Sequence, residues 1–217
     1  MGKYAILFYI PNLIGYSRVA CTVLACVYAF SNWKIAFIAH AMDHVLDAVD
    51  GWAARKFNQC SRFGAVLDMI TDRVSTFLWM VILSHLYPDS YLMFFFFGGL
   101  DYASHWWQMY SSALSGASTH KGGDNIILRI YYKAPGVLFC CVAAQEGVMS
   151  LWYMEYFAKK EIAANPTYQM VFDYAMYFCI FFFAFKQVAN VFQLCSAVSV
   201  ILSEDYATEQ KEKKRAQ

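Results

Sequence analysis

The stretch from Asp47 to Asp72, DAVDGWAARKFNQCSRFGAVLDMITD, decides how the chain is read. Asp47 and Asp50 are three residues apart, and Asp68 and Asp72 are four apart. On a helix, either spacing puts both carboxylates on one face. A short basic segment, residues 55–63 with Arg55, Lys56 and Arg62, joins the two helical patterns. Two helices so joined are antiparallel neighbours, and four carboxylates then converge near one surface. Like charges held that close repel unless cations stand between them, and hard oxygen ligands favour Mg²⁺ or Mn²⁺. Two such ions neutralise four carboxylates. Gly51 follows Asp50 directly, and Gly64 precedes Asp68 by four residues. A residue without a side chain lets a ligand or a second backbone come close. Arg55 lies five residues after Asp50, placed to meet an anionic ligand held by the metals.

Outside this stretch the chain is mostly apolar. Of its 217 residues, 59% are hydrophobic and 15% are charged, against about 25% charged in an ordinary soluble domain. That balance points to a membrane protein. The formal net charge is +1, which provides no global basic field for nucleic acid. The seven cysteines include no C-x-x-C pair and read as small buried hydrophobes, with no disulfide framework or zinc site.

A hydrocarbon core of about 30 Å takes about 20 helical residues to cross. Six segments qualify as spans: 11–30, 33–54, 64–87, 90–110, 134–158 and 168–202. The expected fold is therefore all-α: a polytopic membrane protein with six transmembrane helices in a single domain, 1–217. Residues 1–10 are a short juxtamembrane segment and 204–217 a charged, frayed tail. The second and third spans are weak by hydropathy because the aspartates lie in them, and the sixth is too long for one straight crossing. With six spans both termini share a side. That side holds eleven Lys and Arg residues and the other holds three (Lys34, Lys159, Lys160). The asymmetry puts both termini and the 55–63 loop in the cytosol.

Carboxylates, divalent metals and an arginine together suit phosphoryl chemistry: two metals clamp a diphosphate while a free carboxylate deprotonates an attacking hydroxyl. Two other readings of the same residues are a membrane metal-binding or transport protein, and four helix-end carboxylates solvated among headgroups. Against transport, the aspartates gather towards one face beside basic residues, where a permeation path would stagger them through the bilayer.

The stretch fills D-x2-D-G-x2-A-R-x8-G-x3-D-x3-D at Asp47, Asp50, Gly51, Ala54, Arg55, Gly64, Asp68 and Asp72. This resembles the signature of the CDP-alcohol phosphatidyltransferases. The resemblance implies six transmembrane helices, a homodimer, and two divalent ions, Mg²⁺ or Mn²⁺, held by Asp47, Asp50, Asp68 and Asp72. It implies displacement of CMP from a CDP-linked lipid, with Asp72 as general base and Gly51, Arg55 and Gly64 lining the CDP site. The stretch PNLIGYSR resembles the family's first-helix element, which would turn Asn12 and Arg18 to the nucleotide side. Residues 101–136, with SHW, SS, THK and LRIYY, are similar to the corresponding region of the eukaryotic-type phosphatidylinositol synthases of that family. This implies CDP-diacylglycerol and myo-inositol as substrates, an endoplasmic-reticulum membrane, and His105, Gln108, Lys121 and Arg129 around the inositol ring. Glycerol 3-phosphate, inositol phosphate and serine stand as alternative acceptors. Asp43 lies one turn before Asp47 but fills no motif position, and Asp101 and Lys186 are a possible pair across spans.

Overall fold

A computed structural model describes residues 2–115 and 125–216, and among these there is no strand. Among the described residues seven α-helices follow one another: α1 (Ile10–Tyr28), α2 (Trp33–Lys56), α3 (Arg62–Leu86), α4 (Tyr91–Ser115), α5 (Ile126–Lys133), α6 (Val137–Ala163) and α7 (Pro166–Ala216). Short 3-10 turns cover Lys3–Phe8 and Pro88–Ser90. Six of the helices coincide with the six expected spans. Three of them, Ile10–Tyr28, Val137–Ala163 and the Pro166–Arg215 part of α7, are long and apolar enough to cross a membrane by composition alone. In α2 and α3 the carboxylates lower the apolarity, and in α4 Tyr, Trp, His and Gln do so.

Two features depart from the sequence reading. The segment between the expected spans 90–110 and 134–158 contains α5, eight residues whose first turn is capped by Asn125 accepting from the Ile127 N–H at 2.8 Å. The tail expected to fray is helical through Ala216. Glu, Lys, Gln and Ala are strong helix formers, and Lys213 pairs with Glu209 one turn earlier at 2.5 Å.

The chain divides into two compact units. One holds Met1–Phe95 and Trp152–Glu161, the other Phe96–Leu151 and Ile162–Gln217. In the first unit α1 packs on α2 and α3. Pro11 opens α1, where a missing N–H costs nothing. The helix then buries Asn12, Gly15, Arg18, Thr22 and Ala25, a polar and small stripe at helical spacing. It exposes Leu13, Val19, Val23 and Val27. Polar residues inward and aliphatic residues outward is the arrangement for a helix whose solvent is lipid. α2 faces this stripe with Ala36, Ala39, His40, Asp43, Asp50 and Ala53. Its small residues permit close helix approach. A Cβ on Gly15 of α1 would come within 3.0 Å of Leu67 on α3.

The turn from α2 to α3 is tight. Asn58 takes φ 52°, a left-handed conformation that asparagine tolerates better than most residues. Ser61 then caps α3 by accepting from the Gly64 N–H at 3.0 Å. Elsewhere in this unit Trp79 stacks on His40 at 4.0 Å, and the Tyr153 hydroxyl donates to the Ala29 carbonyl at 2.6 Å, tying Trp152–Glu161 to the end of α1.

The second unit packs Tyr131, Cys141 and Ala189 together with Tyr132, Val137, Leu138, Phe182 and Phe185. Beside them runs a buried polar network. Lys186 Nζ donates to Asp101 Oδ1 and to Gln145 Oε1, both at 2.6 Å, and Asn190 Nδ2 donates to the same Asp101 oxygen at 3.2 Å.

Candidate metal and nucleotide site

The three acidic residues of α2 sit at spacings of four and three, so Asp43, Asp47 and Asp50 share the face turned to α1. Asp68 and Asp72 of α3 meet them. One ligand oxygen from each of Asp47, Asp50 and Asp68 lies within 4.8 Å of the others. Oxygens around Mg²⁺ sit about 2.1 Å from the ion, so opposite ligands are about 4.2 Å apart; a small contraction brings the three onto one cation. The donor set is all carboxylate oxygen, which suits Mg²⁺ or Mn²⁺ over softer metals. Exposure separates the roles further. The side chains of Asp47 and Asp68 are 40% and 49% exposed, open to a ligand, while that of Asp43 is 1% exposed.

The guanidinium of Arg18 enters this cluster from α1, with its side chain 1% exposed. Nε donates to Asp43 Oδ1 at 3.1 Å. Nη1 donates to Asp50 Oδ2 at 3.0 Å and to Asp68 Oδ1 at 2.8 Å, and lies 2.8 Å from Asp47 Oδ1. Nη2 donates to Asp72. Asp43 also accepts from Ser75 Oγ at 2.5 Å and Thr22 Oγ1 at 3.3 Å.

Next to the carboxylates is a cavity of about 150 Å³, lined by Asn12, Gly15, Asp50, Gly51, Gly64 and Asp68 among others. Asn12 is fixed there by Nδ2 donating to the Ile6 carbonyl at 2.6 Å, and Gln59 Oε1 accepts from the Ile10 N–H at 2.8 Å. Gly64 leaves no room for a side chain: a Cβ would lie 2.8 Å from Asn12 Oδ1 and 3.1 Å from Ser61 Oγ. The Arg55 guanidinium is 3.5 Å from where a Gly51 Cβ would stand, and its side chain is otherwise exposed.

The sequence-derived residues thus sort into groups. Asn12, Gly51 and Gly64 line one cavity with Asp50 and Asp68, and Arg55 stands beside Gly51. Arg18, read from the sequence as facing the nucleotide side, lies among the carboxylates beside the cavity. It does not line the cavity, because five carboxylates within its reach hold the guanidinium among them. In the second unit, His105 Nδ1 donates to the Asp101 carbonyl at 2.7 Å, and Gln108 Nε2 donates to the Tyr132 hydroxyl at 3.1 Å. Gln193 also donates to that hydroxyl, at 2.5 Å. Arg129 is exposed on α5, and Lys121 lies outside the described residues. Sequence reasoning left Asp43 without a role and did not single out Thr22, Ser75 or Gln193. The one signal for Asp43 was its position a turn before Asp47.

Residues 8–115 match the family described as CDP-alcohol phosphatidyltransferase. Over 220 residues the chain is 38% identical to CDP-diacylglycerol–inositol 3-phosphatidyltransferase 1 of Arabidopsis thaliana, an alignment covering 96% of this chain and 95% of that one. It is 37% identical to the CDP-diacylglycerol–inositol 3-phosphatidyltransferase of Saccharomyces cerevisiae, across 92% of this chain and 89% of the other. The human protein of the same name is 39% identical over 74% of this chain and 76% of its own. No solved structure matches.

Proposed function

Because the chain belongs to the CDP-alcohol phosphatidyltransferase family, we propose that it transfers the phosphatidyl group from CDP-diacylglycerol to myo-inositol, yielding phosphatidylinositol and CMP. The observation that carries this reading is near-full-length similarity to proteins named for that reaction. The convergence of Asp47, Asp50 and Asp68 beside a glycine-lined cavity supports it.

Asp47, Asp50, Asp68 and Asp72 would hold two divalent ions, Mg²⁺ or Mn²⁺. Such ions, when bound, neutralise the diphosphate and the charge that develops on departing CMP. The protein's own groups do the rest. Gly51 and Gly64 admit the cytidine diphosphate to the cavity, and Arg55 pairs with its phosphate oxygens. A carboxylate oxygen of Asp72 takes the proton of an inositol hydroxyl. The inositol oxygen so deprotonated bonds to the β-phosphorus, the one carrying diacylglycerol, as the bond from this phosphorus to the oxygen of CMP breaks. His105, Gln108, Lys121 and Arg129 are the proposed inositol contacts. The whole chain is read as one six-span membrane domain, working as a homodimer in the endoplasmic reticulum with termini and active site cytosolic.

Purified protein given CDP-diacylglycerol and one acceptor at a time tests this. CMP release is expected with myo-inositol. Release only with glycerol 3-phosphate, inositol phosphate or serine would overturn the acceptor and leave the family reaction standing. In sealed microsomes the CMP is expected outside the vesicles, and lumenal CMP would reverse the orientation.

Gly64 offers a sharper probe of the cavity. In Gly64→Val the Cβ strikes Asn12 Oδ1 and the Ser61 cap, both held by hydrogen bonds of their own. The clash with the protein costs about 1–3 kcal/mol of folding stability; where bound nucleotide presses on the same atoms a comparable cost falls on the complex, at about 1.4 kcal/mol per tenfold. The KM for CDP-diacylglycerol is expected to rise about 5- to 150-fold, with the KM for inositol little changed. An unaltered KM for the nucleotide lipid would move the CDP site elsewhere.

A further inference from the structure

Nη1 of Arg18 carries two hydrogens, yet three carboxylate oxygens surround it: Asp47 Oδ1 at 2.8 Å, Asp50 Oδ2 at 3.0 Å and Asp68 Oδ1 at 2.8 Å. Two receive hydrogen bonds, and the contact with Asp47 is one of charge alone. Nη1 thus touches one more carboxylate oxygen than it has hydrogens to donate. These are the same three residues whose ligand oxygens converge within 4.8 Å. A divalent cation binding those oxygens at about 2.1 Å needs the volume Nη1 holds.

We propose that Arg18 is an internal competitor for the metal cradle: its guanidinium tip and a divalent cation take the same three oxygens in turn. The inference rests on the metal reading above. The rest of the side chain is built to stay when the tip yields. Nε is tied to Asp43, which is itself held by Ser75 and Thr22 on two other helices; the guanidinium swings about that end, and Nη1 and Nη2 leave their carboxylates together because the group is rigid and planar. Charge gives a reason for it to stay. Fully ionised, the five aspartates around Arg18 would carry five negative charges. Arg18 and two divalent ions carry five positive ones. A guanidinium that left altogether would uncover one carboxylate in a low-dielectric site, where an unpaired charge is costly. Displaced only from the cradle, Arg18 goes on neutralising Asp43. It thus keeps α1, α2 and α3 assembled before metal arrives and makes the metal bind less tightly than the carboxylates alone would allow. In this role Arg18 is a positioning residue for the cradle.

The test is Mn²⁺ binding to the purified, full-length protein, read from the electron paramagnetic resonance signal of free Mn²⁺, with no turnover involved. Arg18→Gln removes both the competing tip and its charge, and Mn²⁺ is expected to bind on the order of tenfold more tightly. A merely structural or supporting arginine would give the opposite sign, so unchanged or weaker binding overturns the proposal. Arg18→Lys keeps the charge but loses the fork that reaches several carboxylates at once. Its affinity is expected to lie between wild type and Arg18→Gln, and it decides the matter if Arg18→Gln does not fold. A lysine variant that binds Mn²⁺ as weakly as wild type would show that charge repulsion alone acts, and would overturn displacement. If neither wild type nor the Arg18 variants bind Mn²⁺, the metal reading itself falls, and the competition with it. If wild type binds and Asp68→Asn does not, the metal reading stands whatever Arg18 does.

Discussion

Asp68→Asn is expected to lower CMP release about a hundredfold or more while leaving the protein folded. Asparagine keeps the shape of the side chain and removes the charge. Loss of even an outer-shell partner of a metal ligand typically costs 10- to 100-fold in metal affinity or activity, and Asp68 is placed as a direct ligand, one of the three residues whose oxygens converge. Its side chain is 49% exposed, and it is one of five carboxylates crowded around Arg18. Removing one of several like charges relieves repulsion, so the thermal midpoint in detergent should hold or rise slightly. The decisive measurement is kcat at saturating Mg²⁺ alongside a melting curve. Activity within about threefold of wild type would remove Asp68 from the site. A collapse in melting temperature would mean that its role is structural.

Lys186→Met is expected to have the largest effect on stability. Lys186 and Asp101 are each 2% exposed in their side chains, and Nζ lies 2.6 Å from both Asp101 Oδ1 and Gln145 Oε1. Three helices, α4, α6 and α7, meet at this ammonium. A buried ion pair is weak evidence of net stabilisation, because both charges had to be desolvated. Breaking it from one side is another matter: the remaining carboxylate loses the charge beside it, at about 3–5 kcal/mol. For a chain of this size that is roughly a 10 °C drop in the melting midpoint. The Asp101→Asn/Lys186→Met double variant should recover much of the loss, since neither charge is then stranded. If Lys186→Met melted within about 2 °C of wild type, the pair would not be holding these helices together.

The sequence exposed the parts of the site that depend on charge in an apolar context. Four aspartates in two helical pairs, with glycines beside them, stand out because a membrane-embedded carboxylate is costly and therefore rare. Their convergence followed from spacing and a short loop. The role of Arg18 did not, because its partners lie 25 to 54 residues away and no local pattern distinguishes an arginine that binds a phosphate from one that binds carboxylates. Asp43 had a visible position but no visible partner; Ser75 lies 32 residues further on and carries no signal of its own. Asp101 and Lys186, 85 residues apart, were legible only as two charges in need of partners. In the fold, α5 escaped notice because an eight-residue helix is too short for periodicity to declare it. The end of α7 escaped because a run of mixed charge reads as a solvated coil until its Glu209–Lys213 pair is seen one turn apart.

α7 is also a rod of known length. Its 51 residues at 1.5 Å each extend about 76 Å. Tilted by about 40°, the steep end of the usual range for membrane helices, it would still project about 58 Å along the membrane normal, nearly twice the hydrocarbon thickness. If residues 168–202 cross the bilayer as the sequence reading has it, the last turns, with Lys211, Lys213, Lys214 and Arg215, stand beyond the headgroups as on a mast. An antibody, a protease or a fused fluorophore at this end meets the chain in open water at a fixed standoff from the bilayer.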